Sequence, residues 1–284
     1  MKANELQHTL LDEIFKALGF GRRHPTRFVL EPLFSPAAHR FARIAVTFDQ
    51  EVATHGFREA ARRLLPRFTR VVHVRGAEYI PTEGPLLVVS NHPGTIDGLA
   101  IASNLPRPDL KIVASGVPFI RSLSATSKHL IYSSLEPFER VKVVRAAIRH
   151  LQEGGAVLLF PSGGIDPDPA VMPGALDEFE NWSPSLDVIL RRVPSTRVLI
   201  TAVSGVLHAG WARSPIIRVR SGRRNQQRVA EFFQIIQQVL FPNSLLVSPT
   251  LCFAKPFALP PNANSHFLPT IIASAKAHFR QLKG

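Results

Sequence analysis

The run Asn91-His92-Pro93-Gly94-Thr95-Ile96-Asp97 places an imidazole five positions ahead of a carboxylate. A carboxylate hydrogen-bonded to one imidazole nitrogen fixes the tautomer and leaves the other nitrogen as a general base. Such a pair can take the proton from a hydroxyl, an action worth roughly 10²–10⁴ in rate. The geometry is demanding. Inside one helix, residues five apart point about 140° from each other. Across a turn that leads into a helix start, the two side chains can converge. The same spacing also suits a turn histidine followed by an aspartate that only complements the helix dipole. The seven residues alone leave both readings open.

The flanking elements must therefore position the pair. Leu86-Leu87-Val88-Val89-Ser90 reads as a strand, Asn91–Gly94 breaks it, and Thr95 is the expected N-cap of a helix over 95–104. His92 then lies at the carboxyl end of a strand, where open α/β sheets place their ligands. Further strand-length apolar runs occur at 71–74, 110–114, 156–160, 197–203, 216–220 and 250–254. Helical patterns occur near 138–152, 225–240 and 266–282. Runs without polar alternation suit strands buried on both faces, and their alternation with helices predicts an α/β fold with a mainly parallel central sheet flanked by helices. The proline-rich loop from Asp166 to Gly174 is expected at a sheet edge or site rim.

Residues 1–70 read differently, as a helical N-terminal region ahead of an α/β domain over 71–284. Leu6, Leu10, Leu11, Ile14, Phe15 and Leu18 recur at helical spacing, with Gly19 and Gly21 as stop signals. After the punctuation of Pro25, Pro32 and Pro36, a second stripe runs through Phe41, Ile44, Ala45, Phe48 and Val52. A third segment, 57–65, carries Arg58, Arg62 and Arg63. Such basic amphipathic helices either lie on an anionic membrane surface or pack on the main domain with their arginines solvated.

Three runs taken in order carry a resemblance. Asn91-His92 with Asp97 resembles the Asn-His-x-x-x-x-Asp box of the glycerolipid acyltransferases. Gly116-Val117-Pro118-Phe119-Ile120-Arg121 resembles the core of their second box, with Arg121 one place early. Phe160-Pro161-Ser162-Gly163-Gly164 follows a strand as their third box does, and 198–203 suits the apolar strand after it. The resemblance covers roughly residues 71–220. It implies His92 as the base, Asp97 as the residue that orients it, and direct attack of an acceptor hydroxyl on an acyl thioester. Asn91, Gly116, Phe119, Arg121, Ser162, Gly163 and Gly164 are then expected to bind substrate, with backbone N–H groups near Gly163 and Gly164 facing the oxyanion. The Pro-Ser-Gly-Gly of the third box is similar to that of the soluble plastid glycerol-3-phosphate acyltransferases. Those enzymes hold the acceptor phosphate with arginines just after the glycines; here Ile165 and Pro167 occupy those places. Arg121, Lys128, Arg140 and Lys142 offer charge from nearby in sequence, or are solvated helix residues.

Composition narrows the company this chain keeps. Hydrophobic residues make up 45% of the chain, enough for a packed core, and the net charge of +13 points to anionic partners. Acidic membrane lipid, acyl-CoA and an acidic acyl carrier protein all fit. No nucleic-acid partner is expected, because the basic residues are not interleaved with aromatics in a recognisable motif. Cys252, the only cysteine, excludes an internal disulfide and suits a reducing, cytoplasmic compartment. No apolar run approaches the roughly 18–20 residues of a membrane span, so peripheral attachment is expected. Neither a metal nor a cofactor is expected: no His-Glu-x-x-His occurs and the histidines are scattered. Two rivals stand beside acyl transfer to a glycerolipid-type hydroxyl. One is a non-catalytic lipid- or anion-binding member of the same fold. The other is a serine hydrolase using Ser162, although Phe160 breaks the Gly-x-Ser-x-Gly elbow.

Overall fold

Leu86–Ser90 owes its place to having no polar side until its last residue. In the computed structural model, which describes residues 3–17, 25–133, 137–259 and 266–281, every residue of this strand is buried. Leu86 and Val88 face one apolar cluster, while Leu87 and Val89 face another. Full burial of each such side chain contributes about 1.5–3 kcal/mol. A strand buried on both faces can only be central, and covered by helices above and below.

The elements run α1 (Ala3–Ala17), α2 (Pro25–His55), α3 (Phe57–Leu64), β1 (His73–Arg75), β2 (Leu86–Ser90), α4 (Asp97–Asn104), β3 (Lys111–Ser115), α5 (Pro118–Arg121), β4 (Leu130–Ser133) and α6 (Pro137–Gln152). They continue with β5 (Ala156–Leu159), α7 (Ser185–Arg192), β6 (Arg197–Ser204), α8 (Ala209–Ala212), α9 (Arg223–Leu240), β7 (Thr250–Phe253), β8 (Phe257–Ala258) and α10 (Leu268–Gln281). The eight strands among the described residues form one sheet in the order β1-β7-β6-β2-β5-β3-β4, with β8 also on β6. The run β6-β2-β5-β3-β4 is parallel throughout; β7 and β8 pair antiparallel with β6. The mainly parallel α/β sheet read from the sequence is thus observed.

One face of the sheet is covered by α2, α3, α4 and α9, whose Phe48, Phe57, Ile101 and Val239 share a cluster with Leu86, Val88, Leu158 and Leu199. The other face carries α6, α7 and α10, with Leu151, Leu186 and Ile271 against Leu87, Val157 and Ile200. The chain leaves β2 toward β3 on one side, then returns through β5 and crosses to β6 on the other. The carboxyl end of β2 is therefore a topological switch point, where loops diverge and leave a crevice.

Several local expectations need correction. Pro32 and Pro36 do not break α2, which runs unbroken over 31 residues. Both prolines are exposed and four residues apart, so the carbonyls they leave without partners face water on one side. Meanwhile Phe34 and Ala38 bury against α1, holding the helix together. The run 216–220 is not a strand but a 3-10 turn, Pro215–Val219: only Ile217 is buried, and Val219 is exposed. The strands β4 and β8, and the helices α5, α7 and α8, were not anticipated. Leu18, Gly19, Gly21 and Leu282 lie outside the described residues. No described helix is long and apolar enough to cross a membrane.

Candidate active site at the carboxyl ends of β2, β5 and β6

His92 leaves the end of β2 and its ring turns back over the start of α4. Nδ1 lies 3.0 Å from each carboxylate oxygen of Asp97. The five-residue spacing therefore converges, as a strand–turn–helix path allows. Asp97 is fully buried and also accepts the backbone N–H of Gly94, at 2.9 Å, and of Gly98. These bonds hold the carboxylate in place, so Nδ1 carries the proton and Nε2 presents its lone pair. Nε2 makes no hydrogen bond among the described residues, and the side chain keeps 27% of its surface exposed. The Phe160 ring stacks on the imidazole at 4.3 Å between centroids and 25° between planes, fixing its second face.

Thr95 is not the helix cap expected from its type. α4 begins at Asp97, after Ile96, and no side chain caps it. Asp97 itself takes the nearby N–H groups, and the Thr95 N–H goes to Glu231 of α9.

Strand β6 and the loop after β5 lock the turn in place. Asn91, buried, spans β2 to β6: its amide donates to the Val203 carbonyl at 2.8 Å and accepts the Val203 N–H at 2.9 Å. The loop after β5 joins from the other side. Asp166 N–H donates to the His92 carbonyl at 2.7 Å, and the Asp166 carboxylate accepts the His92 N–H at 3.0 Å. Ser162 lies within hydrogen-bond reach of both Asp166, at 2.9 Å, and the Gly164 carbonyl, at 3.0 Å; it bonds to neither imidazole nitrogen among the described residues. Gly163 adopts φ 68°, where glycine is favoured, and its N–H is taken by the Phe160 carbonyl. The expected oxyanion role of the Gly163 N–H thus meets a donor already paired. Farther along the proline-rich loop, fully buried Asp168 accepts the N–H groups of Ala170, Gly205 and Leu207, tying this loop to the end of β6.

Sequence reading missed α9 as a wall of the site. Gln227, Glu231, Gln234 and Gln238 recur at spacings of four, three and four, so they share one helix face, and all four are buried. Gln227 donates to Pro93 O at 2.6 Å, Glu231 accepts from Thr95, and Gln234 binds both the Val206 carbonyl and the His208 N–H. Arg224, on the first turn of the helix, donates to the Ser162 and Ile165 carbonyls and to Asp166. Gly94 leaves room for this contact: a Cβ would approach Glu231 Oε1 to 2.7 Å, and the Glu231 carboxylate would have to shift. The available signal was a helical stripe of amides and a carboxylate where an amphipathic helix should be apolar.

The second motif group lies on the same sheet edge but packs apart. Phe119 is buried with Leu6, Ala42 and Ala45 of α1 and α2, its ring 5.7 Å from that of Phe41. Arg121 folds back to the Gly116 carbonyl at 2.7 Å and lies over the Tyr132 ring at 4.4 Å. Gly116 permits that fold, because a Cβ there would meet the guanidinium. None of these three makes a hydrogen bond, ion pair or ring contact with His92.

The electrostatics centre on one imidazole among three carboxylates. Burial alone pulls the His92 pKa down, but the charge and hydrogen bond of Asp97, with Glu231 and Asp166 behind, more than reverse this and leave it raised. Burial pushes the Asp166 and Glu231 carboxyls up, partly opposed at Asp166 by the His92 N–H, Ser162 and Arg224, and at Glu231 by Thr95.

Residues 71–183 match the family model described as Acyltransferase. That stretch contains the whole path from β1 to β5, including His92, Asp97 and Ser162. No curated protein matches the chain. Among solved structures, the chain is similar to the 1-acyl-sn-glycerophosphate (LPA) acyltransferase PlsC from Thermotoga maritima, at 17% identity and a TM-score of 0.47, over 99% of this chain and 97% of that one.

Proposed function

We infer the activity from one premise: residues 71–183 are an acyltransferase-family domain. The reading is O-acyl transfer from acyl-CoA or acyl carrier protein to a hydroxyl of a glycerolipid-type acceptor such as lysophosphatidate or glycerol phosphate. The observation that carries it is the state of His92. Nδ1 is held by a buried carboxylate, while Nε2 makes no hydrogen bond among the described residues and the side chain is partly exposed. Nε2 takes the acceptor hydroxyl proton as its oxygen attacks the thioester carbonyl. The tetrahedral intermediate then collapses with loss of the thiolate, which recovers that proton from the imidazolium, so no acyl-enzyme forms. Asp97 stays ionised and stabilises the imidazolium in between.

His92→Ala tests this directly. Transfer from a radiolabelled acyl thioester to lysophosphatidate and to glycerol phosphate is expected to fall about 10²–10⁴-fold, with the circular dichroism spectrum of the folded parent retained. Turnover equal to that of the parent would sink the mechanism. A parent that transfers to no acceptor would favour the binding-protein reading.

The N-terminal region supports peripheral attachment to an anionic membrane face. On α2, Phe28, Val29 and Leu33 are 87%, 72% and 66% exposed. Together with the net positive charge, this apolar patch suits the boundary between headgroups and acyl chains. Flotation with anionic vesicles checks this: Phe28→Ser combined with Leu33→Ser is expected to lower the bound fraction, and an undiminished fraction would refute the patch.

A further inference from the structure

The third motif lacks the arginines that would follow its glycines, yet a guanidinium stands over the same backbone from another element. On α9, Arg224, Arg228 and Glu231 are spaced four and three apart and so share a face. Arg224 grips the loop after β5, and Glu231 holds the turn after β2. Arg228 lies between them in sequence, and its guanidinium reaches the loop after β5 at Gly164. A Cβ at Gly164 would approach its Nη2 to 2.9 Å, so the bare glycine leaves room for the guanidinium.

The two arginines differ in how their charge is met. Arg224 pairs with Asp166 at 3.1 Å and lies 3.6 Å from Glu178. Arg228 is exposed and makes no hydrogen bond or ion pair among the described residues. A cation without a carboxylate partner, beside a loop bonded to the His92 backbone, is suited to an anionic group of substrate. Guanidinium forks match phosphate oxygens in pairs.

We propose that Arg228 receives the phosphate of a phosphomonoester acceptor over Gly164, supplying from α9 the positive charge that Ile165 and Pro167 do not. The proposal rests on the acyl-transfer reading and names the residue that selects a phosphate-bearing acceptor at that site. The acceptor then bridges two points: its phosphate at Arg228 and its hydroxyl at His92 Nε2.

Two measurements on the full-length protein separate this proposal from the reaction itself. In Arg228→Ala, the ratio of kcat/KM for lysophosphatidate to that for monoacylglycerol is expected to fall about 10–100-fold, the loss of charge-assisted hydrogen bonds worth about 1.5–3 kcal/mol. Arg228→Lys is expected to recover part of it, as a point charge without the fork. An unchanged ratio overturns the proposal while leaving His92-dependent transfer intact. Calorimetric titration with sn-glycerol 3-phosphate alone needs no turnover. Binding by the parent that weakens tenfold or more in Arg228→Ala supports the subsite even if acyl transfer fails. Absence of binding by the parent, or binding equal in both proteins, overturns it. Matched melting temperatures exclude misfolding as the cause.

Discussion

The ends of β2, β5 and β6 and the ends of β3 and β4 lie along one edge of one sheet, yet they are built to opposite plans. At the first, most buried polar groups find a partner, Thr201 Oγ1 on β6 being an exception. Asn91 is paired across to Val203, Asp166 to His92, and Asp168 to Gly205 and Leu207. At the second, the buried side chain is Phe119, packed on α1 and α2, while Arg121 lies over Tyr132. A buried polar network costs stability unless each member finds its partner, but once satisfied it holds side chains rigidly. Rigid placement is what a general base requires and a helix-docking surface does not. Strand adjacency separates the two regions: β2 touches β5 and β6 directly, whereas β3 is one strand farther away.

The largest effect that can break this contrast lies at the carboxylate behind His92. Asp97→Asn is expected to lower kcat about 10²–10⁴-fold and to move the acidic limb of the pH–rate profile to lower pH, since a neutral amide no longer favours the imidazolium. A profile that stays in place would detach Asp97 from the base. The unsubstituted pair carries a signed pH signature of its own. Folding raises the His92 pKa, so the pair's contribution to stability is fully present below the ordinary value of 6.5 and is lost as pH rises through the raised one. The rate runs the other way, because only the neutral ring accepts a proton. Melting curves and initial rates over the same pH range should therefore show opposite trends for the parent and a flattened stability difference for Asp97→Asn.

Next in size is Asn91→Ala. It leaves the Val203 N–H and carbonyl without their side-chain partner, and denaturant unfolding should show a loss of about 1–3 kcal/mol for each buried group left unpaired. A loss below 0.5 kcal/mol, an order-of-magnitude threshold for ordinary surface substitutions, would mean the network is looser than its geometry. Glu231→Leu, which removes the acceptor of the Thr95 N–H, is expected to cost about 1–3 kcal/mol in the same measurement. It should also lower the pH of the acidic limb slightly, because a carboxylate favouring the imidazolium is gone. The smallest change belongs to the other region. Arg121→Ala removes an exposed cation–π contact worth about 0.5–1 kcal/mol and should shift the acceptor KM less than threefold. A larger KM effect would bring the second motif into the site and erase the contrast between the two regions.

Legibility followed the range of the interactions. The apolar runs at β2, β5 and β6 were readable because burial on both faces leaves no polar alternation. The His92–Asp97 convergence was readable because a strand end, a turn and a helix start lie within seven residues. The continuity of α2 was not: two prolines signal a break, and only their exposed position, with Phe34 and Ala38 buried opposite, shows why the helix survives. Nor was the role of Thr95, whose residue type suits a cap but whose N–H is drawn to a helix 136 residues away.

By itself, then, the sequence determined which strands are central and where along the chain an imidazole and its carboxylate meet, because both depend on local periodicity and short spacing. Only the tertiary structure decided what surrounds them. Helical spacing shows that Gln227, Glu231 and Gln234 share a face with Arg224 and Arg228 beside it, but not what that face meets. That was settled when the connection from β6 to β7 brought α9 over the loops at the switch point, where buried amides and a carboxylate are stable because each finds a backbone partner.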